Sequence, residues 1–253
     1  MLTVSVQEAM RVAVQFHQEG RLAEAERVYR QVLEQSPRHP DALHLMGVVA
    51  HQTGRQPAAI DWVSQAIRVN PLVGDYHNSL GEAYRAAGRL DEAVACYQRA
   101  IELRADCAEW HANLGSALLE KGQLDEAIST YRKAIHLKDD IAGVHNNLGY
   151  ALRQKGLLDE AIAEFRKAIE LGPNLVNAHL NLGNALQEKG QFGDAIAAYR
   201  RVVEMRGGFA EGYNMLGAAL RKNGQFAEAV QAQRRAIQLK PGLPEAHYDL
   251  GIA

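Results

Sequence analysis

Residues 142–175 read AGVHNNLGYALRQKGLLDEAIAEFRKAIELGPNL, and this stretch decides the fold of the whole chain. In its first half, His145, Leu148 and Leu152 stand at positions i, i+3 and i+7, which is the spacing of one face of an α-helix. Gly156 then predicts the end of this helix, because glycine readily takes the left-handed conformation that follows many helix ends. The first half is therefore predicted to be a short helix that ends in a tight turn.

The second half of the stretch predicts another helix. Ala161, Phe165 and Ile169 share one face at helical spacing, and Asp159 is predicted to cap the N-terminus. Pro173 marks the end, because a proline disfavours helical geometry in the residue before it. Each helix has an apolar stripe that it cannot bury alone, so the two helices are predicted to pack against each other.

The small residues of this stretch recur every 34 residues along the chain. The three sets are Gly47, Gly81, Gly115, Gly149, Gly183, Gly217 and Gly251 in the first helix, Gly20, Gly54, Gly88, Gly122, Gly156, Gly190 and Gly224 in the turn, and Ala25, Ala59, Ala93, Ala127, Ala161, Ala195 and Ala229 in the second helix. A glycine inside a helix costs about 0.5–1 kcal/mol relative to alanine, so a structural gain must offset it. We predict that the first helix approaches the second closely at Gly149, with Ala161 facing the gap.

A helix-pair unit of this length resembles the tetratricopeptide repeat (TPR). The resemblance covers nearly the whole chain and rests on a bulky residue, here mostly histidine, followed by Leu-Gly, a large apolar residue, Gly, Ala, an aromatic residue, Ala and Pro. It implies an all-α fold, a right-handed α-solenoid (α-α superhelix) of helix-turn-helix repeats. We predict a single array over residues 1–253, with repeats at about 6–39, 40–73, 74–107, 108–141, 142–175, 176–209 and 210–243 and a partial eighth at 244–253. Because the eighth unit stops inside a helix, we expect a segment of a longer protein; a short terminal cap is the alternative.

Composition and charge narrow the classes of function. The chain has 253 residues, of which 47% are hydrophobic, and its formal net charge of −2 gives no reason to expect nucleic acid as a partner. No apolar run approaches the ~20 residues that a membrane-spanning helix needs, and residues 1–10 do not resemble a secretory signal. We therefore expect a cytoplasmic protein that binds neither nucleic acid nor membrane.

Most of the charged residues are predicted to stabilise the helices themselves. Acidic residues begin the second helices, at Asp91, Asp125 and Asp159. Basic pairs are predicted to close the same helices, at Arg132-Lys133, Arg166-Lys167, Arg200-Arg201 and Arg234-Arg235. Acidic residues at the start of a helix and basic residues at its end interact favourably with the helix dipole, and each such charge would stabilise the helix by roughly 0.3–1 kcal/mol.

No sequence pattern predicts catalysis, a cofactor or a small-molecule substrate. The chain has no Gly-rich phosphate loop, His-Glu-x-x-His motif or Cys-x-x-Cys motif. One histidine recurs in most repeats, at His77, His111, His145, His179 and His247. Stacked helices lie about 8–10 Å apart, which is too far for these side chains to converge on a zinc ion at ~2.0–2.1 Å. We predict that they are packing residues in a non-catalytic, metal-free segment.

The two cysteines, Cys96 and Cys107, are also predicted to be packing residues. Eleven residues of mostly helical chain separate them by roughly 16 Å. That distance exceeds the ~7 Å limit between the Cα atoms of a disulfide.

Asparagines predict a binding surface. Asn113, Asn147 and Asn181 precede Leu-Gly in three consecutive repeats. The TPR resemblance implies that this position faces a concave groove, where a carboxamide can offer both donors and an acceptor to a peptide backbone. The alternative is that these side chains only solvate the surface or bond a neighbouring repeat. The predicted peptide-binding residues are Asn113, Asn147, Asn181, Asn78, Asn146, Asn184, Asn214, Glu82, Tyr150, Arg85, Arg153, Gln187 and Arg221.

The three arginines of this set leave two interpretations open. Arg85, Arg153 and Arg221 could bind acidic side chains or a C-terminal carboxylate, because a guanidinium pairs well with carboxylates. They could equally be solvated surface charges.

The chain more specifically resembles the repeat region of bacterial O-linked N-acetylglucosamine transferase and SPINDLY-like proteins. This resemblance rests on GRLAEAERVYRQVL, DALHLMGVVAHQTGR and the repeated H-x-N-L-G and K-G-x-x-D-E-A-I patterns. It implies a substrate-recruiting segment that holds extended polypeptide through an asparagine ladder for a glycosyltransferase domain outside this chain. The alternative is a free-standing adaptor or co-chaperone-like assembly scaffold with no attached enzyme.

Overall fold

A computed structural model describes residues 5–246, and that part of the chain contains fourteen α-helices and no strand. The helices are α1 (Val6–Gln18), α2 (Leu22–Gln35), α3 (Pro40–Gln52), α4 (Gln56–Val69), α5 (Gly74–Ala86), α6 (Leu90–Leu103), α7 (Ala108–Glu120), α8 (Leu124–Leu137), α9 (Ala142–Gln154), α10 (Leu158–Leu171), α11 (Val176–Glu188), α12 (Phe192–Met205), α13 (Ala210–Lys222) and α14 (Phe226–Leu239). The predicted all-α class is confirmed.

The chain divides into two compact units between Leu137 and Lys138. The first unit contains α1–α8 and the second contains α9–α14. Within each unit, every odd-numbered helix packs against the even-numbered helix that follows it, and that helix packs against the next odd-numbered one. Odd-numbered helices also contact each other, α3 with α5 and α5 with α7 in the first unit and α9 with α11 in the second. We call the odd-numbered helices first helices and the even-numbered ones second helices.

Glycines end the first helices as predicted. Gly156 follows α9 with a φ angle of 79°, in the left-handed region that other residues rarely enter. The six turn glycines at the same position in the other pairs have φ angles between 74° and 77°. The short turn reverses the chain and sets each helix pair antiparallel.

A glycine inside each first helix from α3 to α13 allows the two helices of a pair to approach closely. A Cβ atom on Gly149 would lie 2.7 Å from Cε1 of Phe165 and 3.1 Å from the carbonyl oxygen of Ala161. At Gly115, a Cβ atom would lie 2.8 Å from the Tyr131 ring. Both rings are completely buried. The predicted close approach is confirmed, and the aromatic ring fills most of the gap that was expected to face Ala161.

The predicted helix cap at Asp159 is wrong. Helix α10 begins at Leu158, and its capping residue is Leu157, whose side chain makes no capping hydrogen bond. Asp159 lies in the first turn and forms an ion pair with Lys189 of the next helix pair. Asp91 pairs with Lys121 in the same way, at 2.6 Å. These acidic residues therefore connect neighbouring repeats through ion pairs.

The predicted match between the basic pairs and the helix dipole is also wrong. Helix α10 continues to Leu171 and has no basic residue in its last turn, because Arg166 and Lys167 lie earlier. The dipole acts mainly within the terminal turn, so it adds little at these positions. Lys167 pairs instead with Glu170 at 3.0 Å.

No helix among residues 5–246 is both long enough and apolar enough to cross a membrane.

Candidate functional site

All thirteen predicted peptide-binding residues lie on first helices and are partly exposed. Four of them belong to the first unit, on α5 and α7, and nine to the second, on α9, α11 and α13. The first-unit residues are Asn78, Glu82, Arg85 and Asn113. The second-unit residues are Asn146, Asn147, Tyr150, Arg153, Asn181, Asn184, Gln187, Asn214 and Arg221.

In the first unit, the asparagine side chains bond neighbouring repeats. The Asn113 amide nitrogen donates to Oδ1 of Asn78 at 3.0 Å and to Oε1 of Glu82 at 3.3 Å. One repeat earlier, Nε2 of His44 lies 2.9 Å from Oγ of Ser79. The Asn78–Asn113 and His44–Ser79 pairs join residues 35 positions apart, and the Glu82–Asn113 pair joins residues 31 positions apart. All three contacts fasten successive first helices to each other.

In the second unit, three asparagines form a continuous hydrogen-bonded chain. The Asn181 amide nitrogen donates to Oδ1 of Asn146 at 3.0 Å, and the Asn146 amide nitrogen donates to Oδ1 of Asn147 at 3.2 Å. We call these three residues the carboxamide chain. A carboxamide has two donor hydrogens and an acceptor oxygen with two lone pairs, so each member has capacity beyond these bonds. The bonds fix the orientation of every member.

Two of the three predicted arginines form ion pairs with the next first helix. Arg85 meets Glu120 at 3.1 Å in the first unit, and Arg153 meets Glu188 at 3.3 Å in the second. The arginine side chains are 34% and 22% exposed, and both glutamates are 47% exposed. Exposed ion pairs stabilise a protein by only about 0–1 kcal/mol, so a ligand carboxylate can compete for these guanidinium groups.

These contacts reveal a longer period that the sequence reasoning missed. The four polar residues Asn78, Arg85, Asn113 and Glu120 recur 68 residues later as Asn146, Arg153, Asn181 and Glu188. We call each set a quartet, and each contains one carboxamide pair and one Arg–Glu pair. Asn214 and Arg221 stand a further 68 residues along the chain. The sequence already contained a sign of this 68-residue period, because Glu120 and Glu188 occupy the same position in two first helices, α7 and α11, that are separated by one other first helix.

The two quartets differ in one neighbouring side chain. The position one turn after Asn78 is Glu82, whereas the position one turn after Asn146 is Tyr150. The Tyr150 ring lies 5.7 Å from the guanidinium carbon of Arg153, and its hydroxyl accepts a hydrogen bond from Gln154 at 3.0 Å. The first quartet therefore has an additional carboxylate, and the second has an aromatic ring beside its arginine.

Asn184 holds a second helix in place. The hydroxyl of the buried Tyr199 donates to Oδ1 of Asn184 at 2.8 Å, as Tyr131 donates to Oγ of Ser116 at 3.1 Å. Burial raises the pKa of the Tyr199 hydroxyl, which keeps it protonated as a donor. Asn184 thus contributes to the packing of α11 against α12 as well as to the exposed surface.

Each recurrent histidine in the described part of the chain forms a hydrogen bond with the loop that precedes its helix. Nε2 of each ring lies 2.9–3.0 Å from a carbonyl oxygen six residues earlier. The pairs are His77 with Pro71, His111 with Ala105, His145 with Asp139 and His179 with Pro173. His247 lies outside the described residues. Within residues 5–246 no cluster of three or more His, Cys, Asp or Glu side chains could hold a metal ion.

Both cysteines are free thiols and partly buried. Burial raises the pKa of the Cys96 thiol to about 11, which keeps it protonated and unreactive near neutral pH.

Clefts also lie between neighbouring second helices. One of about 720 Å³ lies between α6, α7 and α8, with Val94 and Leu114 among its apolar lining. Its charged lining includes both Glu126 and Lys133. Because the cleft is lined by both acidic and basic side chains, its charge does not favour either an anionic or a cationic ligand.

Family models match most of the chain. A model described as tetratricopeptide repeat matches residues 17–73, 63–103, 78–142 and 180–244. A second model, described as TPR repeat, matches residues 149–190. The chain belongs to the tetratricopeptide repeat family. The matched TPR models describe the repeat itself and no glycosyltransferase domain.

Solved structures of other TPR proteins are similar to this chain. YrrB, described as a TPR protein with an unusual peptide-binding site, is 22% identical, with a TM-score of 0.65 over 74% of this chain and 96% of YrrB. PilF of Pseudomonas aeruginosa is 20% identical, with a TM-score of 0.73 over 85% of this chain and 97% of PilF. The C-terminal part of a TPR protein from Cytophaga hutchinsonii is 20% identical, with a TM-score of 0.74 over 95% of this chain and 99% of that one. At these identities the likeness shows the fold alone. No curated protein gives a significant match.

Proposed function

We propose that this TPR chain binds extended polypeptide on its first helices, through hydrogen bonds from carboxamides to the peptide backbone. The carboxamide chain of the second unit is the observation that carries the proposal. Hydrogen bonds orient Asn181, Asn146 and Asn147, so a peptide would meet side chains that are already positioned. These side chains therefore lose little further conformational entropy when the peptide binds.

The spacing of the helices also suits an extended peptide. Packed helices lie about 8–10 Å apart, and an extended chain advances about 3.3 Å per residue. Within one unit, one carboxamide from each first helix would therefore meet the backbone about every three residues. Backbone bonds of this kind do not depend on peptide sequence, so the proposed partners are proteins or peptides of varied sequence. The proposal includes no catalysis and no nucleic acid, membrane or small-molecule ligand.

The test is the triple substitution of Asn146, Asn147 and Asn181, the carboxamide chain, with alanine. Each lost hydrogen bond is worth roughly 0.5–1.5 kcal/mol, so affinity for unrelated peptides should fall by well over tenfold. Binding is measured by fluorescence anisotropy with a set of unstructured labelled peptides. Unchanged affinity across the set would overturn the proposal.

The control is Asn174→Ala, since Asn174 is exposed in the loop between α10 and α11. This variant should bind like the unmodified protein. Because the Asn181–Asn146 bond also joins neighbouring repeats, the thermal unfolding midpoint of each variant is measured as well. A comparison at a temperature where both variants are folded separates binding from stability.

A second candidate is more specific: the substrate-recruiting segment of a glycosyltransferase-like enzyme. It is favoured by the H-x-N-L-G and K-G-x-x-D-E-A-I patterns that recur through the chain. The intact mass of the native protein, compared with 27.8 kDa for this chain, tests it. A much larger mass with sugar transfer to a bound peptide would support it, and a matching mass would favour a free-standing scaffold. Cell fractionation would test the predicted cytoplasmic location.

A further inference from the structure

We propose that the second-unit quartet, with Tyr150, selects peptides that carry an acidic side chain, and that Glu188 occupies the place of the ligand carboxylate on Arg153 before the peptide binds. This inference rests on the proposed function, because it assumes that a peptide crosses α9 and α11. It adds a chemical preference that carboxamides alone cannot give.

Arg153 is placed to receive a second carboxylate. It meets Glu188 through Nε at 3.3 Å, and its side chain remains partly exposed. A guanidinium has five N–H donors and can hold a carboxylate through two parallel hydrogen bonds. The glutamate is the more exposed partner, so it can swing into solvent while Arg153 stays beside the Tyr150 ring.

The distance between the carboxamides and the arginine matches an extended peptide. Asn146 and Arg153 are separated by seven residues on α9, or about 10.5 Å of helix rise. An extended chain covers this distance in about three residues. A peptide that crosses α9 and α11 obliquely could therefore bond the carboxamide chain with its backbone and place an Asp or Glu side chain at Arg153 about three residues away.

The charges around Arg153 favour an acidic ligand in the second unit. The Tyr150 ring and the neutral Gln187 lie on the same first helices, and Glu188 is the carboxylate paired with the arginine. The first unit has the same Arg–Glu pair at Arg85 and Glu120, but it also has Glu82, which accepts from Asn113. A ligand carboxylate would be repelled by Glu82 there. The first unit is therefore expected to bind an acidic side chain less tightly than the second.

The competing explanation is that Arg153 and Glu188 only fasten α9 to α11. Under that explanation, Glu188→Gln would lower stability slightly and leave peptide affinity unchanged. Under the proposal, Glu188→Gln removes the intramolecular competitor and tightens binding of acidic peptides. The two explanations thus predict different directions of change in affinity.

The experiment uses the full chain and two labelled extended peptides that differ only in Glu or Gln at one central position. The unmodified protein should bind the Glu peptide more tightly. Arg153→Gln should weaken the Glu peptide by about tenfold and leave the Gln peptide unchanged, since a hydrogen-bonded charge pair is lost. Glu188→Gln should tighten only the Glu peptide, and Tyr150→Glu should weaken it by making the site resemble the first unit.

The matched controls are Arg200→Gln and Glu228→Gln, which remove an exposed ion pair between the second helices α12 and α14 and should change neither affinity. Arg85→Gln in the first unit should weaken the Glu peptide less than Arg153→Gln does. Thermal unfolding confirms that each variant is folded. Arg153→Lys keeps the positive charge but cannot form the bidentate pair of hydrogen bonds with a carboxylate. Equal binding of both peptides, with no effect of Arg153→Gln, would overturn the acidic preference and leave the proposed function standing. An equal loss in Arg85→Gln would overturn the assignment to the second unit. Failure of both peptides to bind would overturn the proposed function, and this inference with it.

Discussion

Gly149 and Phe165 pack so closely that a single added carbon on the glycine would enter the ring of its neighbour. A Cβ atom on Gly149 would lie 2.7 Å and 2.8 Å from two ring carbons of Phe165. Glycine at this position is therefore required by the neighbouring helix, even though it weakens its own helix. The same contact between a glycine and a ring recurs at Gly81 with Tyr97, Gly115 with Tyr131 and Gly183 with Tyr199.

Replacing Gly149 with alanine should destabilise the protein. Overpacking costs roughly 1–3 kcal/mol, while the better helix propensity of alanine returns about 0.5–1 kcal/mol. The expected net loss is about 1–2 kcal/mol, measured as a lower urea midpoint. The matched control is Gly143→Ala in the same helix, where nothing lies within 4 Å of the added carbon. That variant should be slightly more stable, and a loss of stability in both would contradict this interpretation.

Removing the Tyr199 hydroxyl should cost the hydrogen bond to Asn184. The ring would remain in place in Tyr199→Phe, since Phe165 occupies the same position in the preceding repeat. We expect a loss of about 0.5–1.5 kcal/mol in the free energy of unfolding. A double-mutant cycle with Asn184→Ala isolates the pair, and additive effects would show that the two side chains do not interact.

Replacing Gln233 with phenylalanine should stabilise the last complete helix pair. Gln233 is 1% exposed and faces Gly217, at the position where five earlier repeats have an aromatic ring. A buried aromatic side chain contributes about 1.5–3 kcal/mol, and part of this gain is lost with the hydrogen bond from Gln233 to the Asn214 carbonyl at 3.3 Å. We expect a net gain of about 1 kcal/mol, read from chemical unfolding. Gln231→Phe on the exposed face of α14 should give no such gain.

Acidification should destabilise the first unit through His44. Burial lowers the pKa of this histidine from 6.5 to about 4, although Asp75 and Asp41 oppose the shift. Between these two values the unfolded chain binds a proton that the folded chain does not, so stability is present above the unfolded pKa and is lost as the pH falls through the folded one. The loss from pH 7 to pH 4 is of the order of a few kcal/mol.

The measurement for His44 is the urea midpoint between pH 7 and pH 4. His44→Asn does not titrate and should lose less stability than the unmodified protein over this range. An identical pH dependence in the two proteins would assign the effect to other groups. His77→Asn is the control, because this histidine lies on the exposed side of α5 and bonds the Pro71 carbonyl.

Glycine spacing in the sequence was sufficient to predict the helix pairs, but the sequence did not show which partners the charged side chains bind. The 34-residue spacing of glycines predicted both the turns and the close approach at Gly149, because backbone conformation and the lack of a side chain are properties of the residue itself. Asp159 was misassigned as a cap because a carboxylate near a helix start can accept from the backbone or from a distant lysine. Only the position of Lys189 decided between these two partners.

The sequence by itself determined the repeat, the helix boundaries marked by Gly156 and Pro173, and which side chains share the first helices. Tertiary structure decided how those side chains pair. Asn113 bonds Asn78, and Arg153 bonds Glu188, between neighbouring first helices and across 35 positions of sequence. Such bonds depend on distances between neighbouring helices, which helix packing sets and helical spacing along one helix does not contain. The 68-residue recurrence of the quartets is present in the sequence, but the pairing of their side chains is set by the packing of the helices.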